Sequence, residues 1–341
     1  MTGRAKVTVA GAGALGLASA LALAEAGCVV SLCDPHPDAG ASSVAAGMLA
    51  PVFEAVLDAQ GAPAFDLLVA ARDLWPGLEA RAGVRLDRSG AMAVGEAAWL
   101  AQVSAGLIRL GLHAIDLPRR TAEALAPAQL SADFERALLV REDWRLEPRA
   151  ALAALRAAAQ AAGVTFRDTA VEGRGDADWL VVATGAAGGL APELARLTPI
   201  KGQIARYGGL RGAGVCVRGD ACYAVPAADG LAIGATMETG VDDPRPDRKA
   251  FAPVLKAAAG LFPGLGEAPF EVAAGIRAAS PDGLPMAGFS SEPKVVLATG
   301  ARRNGWLLAP LIARVVTACV TGRDGGPYAA RLDPRRFEKG R

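Results

Sequence analysis

The chain has 341 residues, 52% of them hydrophobic, enough for one large or two ordinary domains with buried cores and no covalent staples. Its 36 Lys and Arg nearly cancel 35 Asp and Glu, and a formal charge of +1 gives no general pull toward phosphate backbones or anionic bilayers, which argues against nucleic-acid and membrane partners. The five cysteines, Cys28, Cys33, Cys216, Cys222 and Cys319, are odd in number and lack metal-ligand spacing, so no metal site is expected and a reduced, cytoplasmic setting fits better than a disulfide framework.

The opening residues read strand, turn, helix, strand: Lys6 to Ala10, a glycine-rich turn from Gly11 to Gly16, an alanine-rich helix to about Ala26 stopped by Gly27, then Val29 to Cys33. Arg4 and Lys6 ahead of this apolar run also suggest an export signal, but the three glycines interrupt it where a signal is uniformly hydrophobic. Further on, Leu74 to Ala82 is helical and Val84 to Val94 gives short strands around a turn at Ser89-Gly90. Pro148 to Ala162 is a strong helix, followed by Val164 to Phe166 and a buried strand from Asp178 to Ala183 that ends at Thr184-Gly185.

From Ile200 to Met237 short β-type runs (Gln203 to Tyr207, Cys222 to Val225, Leu231 to Ala235) alternate with Gly and Pro turns, as in an antiparallel sheet. A helix over about Arg248 to Leu261, a strand from Lys294 to Ala298 and a last helix from Leu307 to Val320 complete the pattern. The fold class implied is α/β: a discontinuous, Rossmann-like dinucleotide-binding domain (1–80, 140–200 and 271–341) with a mostly antiparallel β substrate domain (81–139 and 201–270) inserted twice.

Gly11, Gly13 and Gly16 form a GxGxxG between a strand and a helix, which suits a tight turn, a close approach to pyrophosphate and close helix–strand packing. The helix N-terminus then faces the phosphates with unpaired N–H groups and its positive dipole end. Asp34, ending the second strand, stands where a carboxylate accepts a ribose hydroxyl. NAD and FAD share this fingerprint. On residues alone, the run Ser42 to Pro51 reads equally as a tightly packed turn or as a segment whose small residues admit a flat ring and whose Ser42 and Ser43 donate to phosphate.

That run, with Ala45-Ala46-Gly47-Met48-Leu49 at its centre, resembles the signature of the D-amino-acid oxidase superfamily, and most closely its glycine-oxidase branch in thiamine biosynthesis. Three later segments agree in order: Tyr223 to Pro226 with Gly234 to Met237, Gly275 to Arg277 with Pro281 to Pro285, and Thr299-Gly300 with Arg303-Asn304-Gly305 running on to Pro310. The resemblance implies FAD as cofactor, lined by Ser42, Ser43, Ala46, Gly47 and Met48, with Val171 at the adenine and Gly185 closing the pocket. It also implies that Arg277 pairs with a substrate carboxylate and Tyr223 donates to it. Met48 then flanks the substrate, and Arg303, Asn304 and Gly305 lie over the flavin at the start of the last helix.

The implied reaction is oxidation of a small amino acid or amine (glycine, sarcosine or a D-amino acid) to an imine, with O2 reduced to hydrogen peroxide and the imine feeding thiazole assembly. An FAD-dependent dehydrogenase serving a quinone and a non-catalytic flavin module are the alternatives. Self-assembly into a homo-oligomer is left open. Two family histidines are replaced by Ala221 and Ala301, Arg302 stands for an aromatic and Trp306 for an aliphatic, changes expected to reshape the pocket. His36 and His113 are expected to be solvated or structural, and no general base is required.

Overall fold

The computed structural model describes residues 4–209 and 213–338; positions 1–3, 210–212 and 339–341 of the ranges assigned above lie outside it. Two sheets organise the described residues. The first has six strands in the order Met286–Phe289, Val295–Thr299, Trp179–Val182, Lys6–Ala10, Val29–Cys33, Thr165–Arg167. All its pairings are parallel except that of Met286–Phe289 with Val295–Thr299. Its strands are short and rich in β-branched residues, as a sheet covered on both faces requires.

The helix Ala14–Glu25 carries no charge between Ala14 and Ala24 because neighbours enclose it: it packs on both Gly305–Thr321 and Pro148–Ala161. Leu17, Leu21, Leu155, Leu307 and Ile312 share that core with Val9 and Val181 of the sheet. A fully buried Trp75 joins the same core and donates its indole N–H to the Leu307 carbonyl at 3.2 Å. The apolar opening run is therefore the central strand and central helix of a core. Among the described residues no helix is long and apolar enough to cross a membrane.

The second sheet has nine strands, mostly antiparallel, and includes Ala91–Ala93, Ile115–Pro118, Arg136–Val140, Thr198–Gly208, Cys216–Arg218, Tyr223–Ala227 and Gly230–Gly234. The helix Arg248–Leu261, capped by the Asp247 carboxylate accepting from Lys249 and Ala250, covers one face through Phe251, Val254 and Leu261. The other face of the sheet meets Val52, Phe53, Leu100 and Val103. The strand Glu271–Ala279, assigned from sequence to the nucleotide-binding part, pairs over nine residues with Thr198–Gly208 and belongs to this second sheet. It carries Arg277 away from the flavin-type sheet and onto the opposite wall of the site. A three-stranded sheet of Met48–Leu49, Trp144–Leu146 and Leu86–Asp87 lies between the two larger ones.

Candidate active site

The glycine turn is built as its spacing suggests. Gly11 has φ +107°, and a Cβ there would stand 2.4 Å from the Ala183 carbonyl oxygen; one on Gly16 would stand 1.9 Å from the Gly11 carbonyl oxygen. Helix Ala14–Glu25 starts at Gly13 with no side chain of its own turn capping it. Asp34 holds the turn from the next strand, accepting from the Ala12 N–H at 2.7 Å and the His36 N–H at 2.8 Å, which leaves lone pairs on both oxygens for a hydroxyl. Val171 packs beside Ala10 and Val182 at the same end of the sheet, and Gly185 is exposed, its carbonyl accepting from the Thr299 hydroxyl at 2.8 Å.

The two serines have different roles. Ser42 accepts from the Ala14 N–H at 3.1 Å, so its hydroxyl proton is available at the helix N-terminus. Ser43 is buried and donates back to the carbonyls of Asp38 and Gly40, both at 2.8 Å. Its single proton stabilises the turn that presents Ser42.

Beyond this turn a cavity of about 250 Å³ opens between the two large sheets. Ala46, Gly47 and Met48 form one side, held by the Leu146 N–H donating to the Gly47 carbonyl. Tyr223 and Arg277 come from the nine-stranded sheet, and Arg303, Asn304 and Trp306 from the start of the last helix. That helix, Gly305–Thr321, starts at the cavity with Asn304 at its N-cap, and no side chain among the described residues caps its first N–H groups. Trp306 is fixed by donating its indole N–H to the Ser42 carbonyl at 3.1 Å.

Arg277 crosses Gly202 and donates to the Thr236 carbonyl at 3.2 Å and the Met237 sulfur at 3.3 Å; its remaining N–H groups have no protein acceptor among the described residues. Burial, with the charge of Arg303 nearby, lowers the Arg277 pKa, which raises the benefit of a bound anion. Burial pushes the Tyr223 hydroxyl up, keeping it a protonated donor. Met237 lines the cavity and is partly exposed.

No local motif marks the acidic wall. Glu54 and Asp58 lie on and just after helix Pro51–Leu57, whose Val52 and Phe53 N–H groups are capped from far away by the buried Asp143 carboxylate at 2.8 and 3.0 Å. Glu54 pairs with Arg303 on one oxygen and with Arg218 at 3.4 Å on the other. Asp58 pairs with Arg302, and with Arg303 at 3.3 Å. Burial opposes the Asp58 charge, but the hydrogen bond from Arg302 and the charge of Arg303 hold its carboxyl below the usual range. Burial likewise opposes the Arg303 charge, and Glu54 and Asp58 outweigh it to raise the Arg303 pKa.

The replaced histidines separate as well. Ala221 is exposed at the cavity rim, whereas Ala301 is buried in the core and bridges to Ala279, so only Ala221 enlarges the opening. His36 and His113 are exposed and away from the cavity.

The cradle at Gly11 and Gly16, the helix start at Ala14, Asp34 and the slot between residues 46–48 and 303–306 fit a flavin adenine dinucleotide laid from the six-stranded sheet into the cavity. Comparison with known proteins agrees. Residues 6–319 match the family described as DAO, FAD dependent oxidoreductase. The chain is similar, at 32% identity over 94% of its length and 98% of the relative's, to a Rhizobium etli protein named as a thiamine biosynthesis oxidoreductase, ThiO. It is 31% identical to the bifunctional protein ThiO/ThiG of Trichormus variabilis, covering 98% of this chain but 55% of that one. In structure it is similar to glycine oxidase from Geobacillus kaustophilus, with a TM-score of 0.84, 27% identity, and 98% and 99% of the two chains covered. With a family match across nearly all of its length, the chain belongs to the DAO family of FAD-dependent oxidoreductases.

Proposed function

We propose that the enzyme oxidises the Cα–N bond of a small amino acid or N-substituted glycine to an imine and passes the electrons to O2, releasing hydrogen peroxide. The observation that carries this reading is Arg277: a guanidinium with unused N–H donors, facing a cavity between the flavin-type segment and the start of the last helix. Such a fork matches a carboxylate bidentately. The Tyr223 hydroxyl donates to the same carboxylate. Together they hold the substrate by one end, so that its Cα–H faces the slot beside Met48.

In this reading Gly11, Gly13 and Gly16 hold the FAD pyrophosphate, Asp34 the ribose and Ser42 a phosphate oxygen, with Val171 and Gly185 on the adenosine side. Ala46, Gly47, Met48, Arg303, Asn304 and Gly305 hold the isoalloxazine. Bound FAD supplies the acceptor for a hydride from Cα. No histidine lines the cavity, Glu54 is committed to two arginines and Asp220 is exposed at the rim, so the reading assigns no side chain as a base for the Cα proton. The amine enters neutral, and its lone pair forms the C=N bond as the hydride leaves. One N–H proton is then lost to water, giving the imine. The N–H groups at the start of helix Gly305–Thr321, not capped by the Asn304 side chain, would favour negative charge at that end of the cavity when FAD is bound.

The names of the ThiO and glycine oxidase relatives support a small glycine-like substrate and a link to thiazole synthesis. Anaerobic titration with glycine, sarcosine and D-amino acids, followed at the visible flavin band, tests the reading. Bleaching by one amine, reversed by air with one peroxide per turnover, is the expected result. A flavin that no amine bleaches overturns it, and bleaching without peroxide transfers the electrons to another acceptor.

A further inference from the structure

Arg218 is a buried cationic side chain of the cavity that the reaction above does not use. It ends the strand Cys216–Arg218, its side chain is only 7% exposed, and its guanidinium lines the cavity. Its partners are poor for a buried cation: a thioether, Met48 Sδ at 2.9 Å, and Glu54 at 3.4 Å through an oxygen set whose closer partner is Arg303. Its Nε–H has no protein acceptor among the described residues and is not sealed from the cavity. A guanidinium taken out of water with most of its donors unspent is costly unless a ligand completes it.

The charge balance agrees. Arg218, Arg277 and Arg303 face Glu54; Asp58 is held by Arg302 as well as by Arg303, the buried Asp143 near Arg218 and Glu54 is pushed by burial toward its neutral form, and Asp220 is exposed at the rim. A substrate α-carboxylate on Arg277 answers one positive charge. The isoalloxazine ring is neutral when substrate arrives, so another positive charge stays unanswered at the moment of binding. Arg218 and Arg277 both act on Tyr223, and the Arg218 guanidinium lies 5.8 Å from the centre of that ring, so the two arginines flank the residue expected to touch the carboxylate.

Outward past Ala221 the surroundings change sign. A second cavity sharing Asp220, Ala221 and Cys222 is bordered by Glu96, Asp133 and Glu135, with Arg136 there already paired to Asp116 at 2.6 Å. A second anionic group is therefore favoured inside, near Arg218, and disfavoured at the rim.

We propose that Arg218 is a specificity residue that receives a second acidic group, making the preferred substrate a short amino- or imino-dicarboxylate in place of a monocarboxylic amino acid. This rests on the oxidase reading for turnover but not for binding, which lets the two be tested apart. Calorimetric titration of the holoenzyme with succinate and malonate against propionate and acetate reads the site without chemistry. Charge-assisted hydrogen bonds to one guanidinium predict about ten- to a hundredfold tighter binding of the diacids. That preference collapses in Arg218→Met and is partly restored in Arg218→Lys, while far-ultraviolet circular dichroism and flavin content report whether each variant is folded. In turnover, D-aspartate and iminodiacetate show higher kcat/KM than D-alanine and sarcosine by a similar factor. Equal affinities for diacids and monoacids, or a preference unchanged in a folded Arg218→Met, overturns the proposal. Diacid binding that depends on Arg218, with no amine bleaching the flavin, leaves this proposal standing and removes the oxidase reading.

Discussion

Replacing Gly202 by alanine separates the grip on the substrate carboxylate from the stability of the fold. Gly202 sits in strand Thr198–Gly208 opposite Gly275, and the Arg277 side chain folds across it. A Cβ at 202 would stand 2.1 Å from Cζ and Nη2 of Arg277 and 2.2 Å from Nη1, so the guanidinium must withdraw by more than an ångström to reach ordinary contact. Both hydrogen bonds of a bidentate pair cannot survive such a shift. Losing one charge-assisted bond, worth roughly 1.5–3 kcal/mol, raises the substrate KM about ten- to a hundredfold. The backbone has no corresponding objection. Gly202 is not in the left-handed region, the obstructing atoms are the mobile end of a side chain, and alanine at a compatible site gains about 0.4–1 kcal/mol through the unfolded chain. Steady-state kinetics and thermal unfolding of Gly202→Ala should therefore diverge, with KM sharply raised and Tm equal or slightly higher. A KM within about twofold of wild type, in a variant whose unfolding is unchanged, would show that Arg277 does not hold the carboxylate from this position.

Three further outcomes follow from the same geometry. Gly16→Ala sets a Cβ against the backbone carbonyl of Gly11, where nothing flexible can yield; a cost of about 1–3 kcal/mol and loss of flavin on gel filtration are expected. Retention of a full complement of FAD at wild-type Tm would contradict that packing. Glu54→Ala leaves Arg218 and Arg303 without their shared carboxylate and should destabilise by about 3 kcal/mol, read by denaturant titration. Asp143, pushed up to about 7 mainly by burial despite two backbone N–H donors, makes stability pH-dependent. Its folded pKa lies above the ordinary carboxylate value, so its stabilising contribution is full at acid pH and is lost as pH rises through about 7. Asp143→Asn gives up one of two N–H acceptors at every pH but removes that dependence, so its Tm should gain on wild type between about pH 4 and 7. A gap that stays constant with pH argues against a titrating Asp143.

Much of the fold was legible where sequence periodicity and physical role coincide. The strands at Lys6–Ala10, Val29–Cys33 and Trp179–Val182 and the helices at Ala14–Glu25 and Pro148–Ala161 lie in the central sheet and its covering layer, where burial on all sides leaves continuous apolar runs. Between Glu96 and Glu147 little was legible. The helix Ala97–Arg109 carries Gly106, which propensity reads as a weakness, yet a Cβ there would stand 2.8 Å from Val56, so the residue is small because two helices meet. Glu271–Ala279 was placed with the wrong sheet because its small residues carry no alternation that separates one sheet from the other. Its partner strand Thr198–Gly208 lies some seventy residues away, and only the pairing decides.

The site divides along the same line. A glycine turn, an acidic strand end and a helix start are local patterns, so Gly11, Gly16, Asp34, Ala46 to Met48 and Asn304 are the positions proposed to hold the cofactor. Glu54, Asp58, Arg218 and Arg302 answer to one another. They come from a helix, the residue that follows it, a strand end and a loop, and each alone is an ordinary charged residue. Even Ser43, adjacent to Ser42 and chemically identical, differs only because its proton is spent on Asp38 and Gly40. What the cofactor needs is written along the chain, whereas what the substrate meets is a balance of buried charges assembled across it. The identity of the substrate is therefore sought at Arg218 and Arg277, where that balance leaves positive charge unanswered.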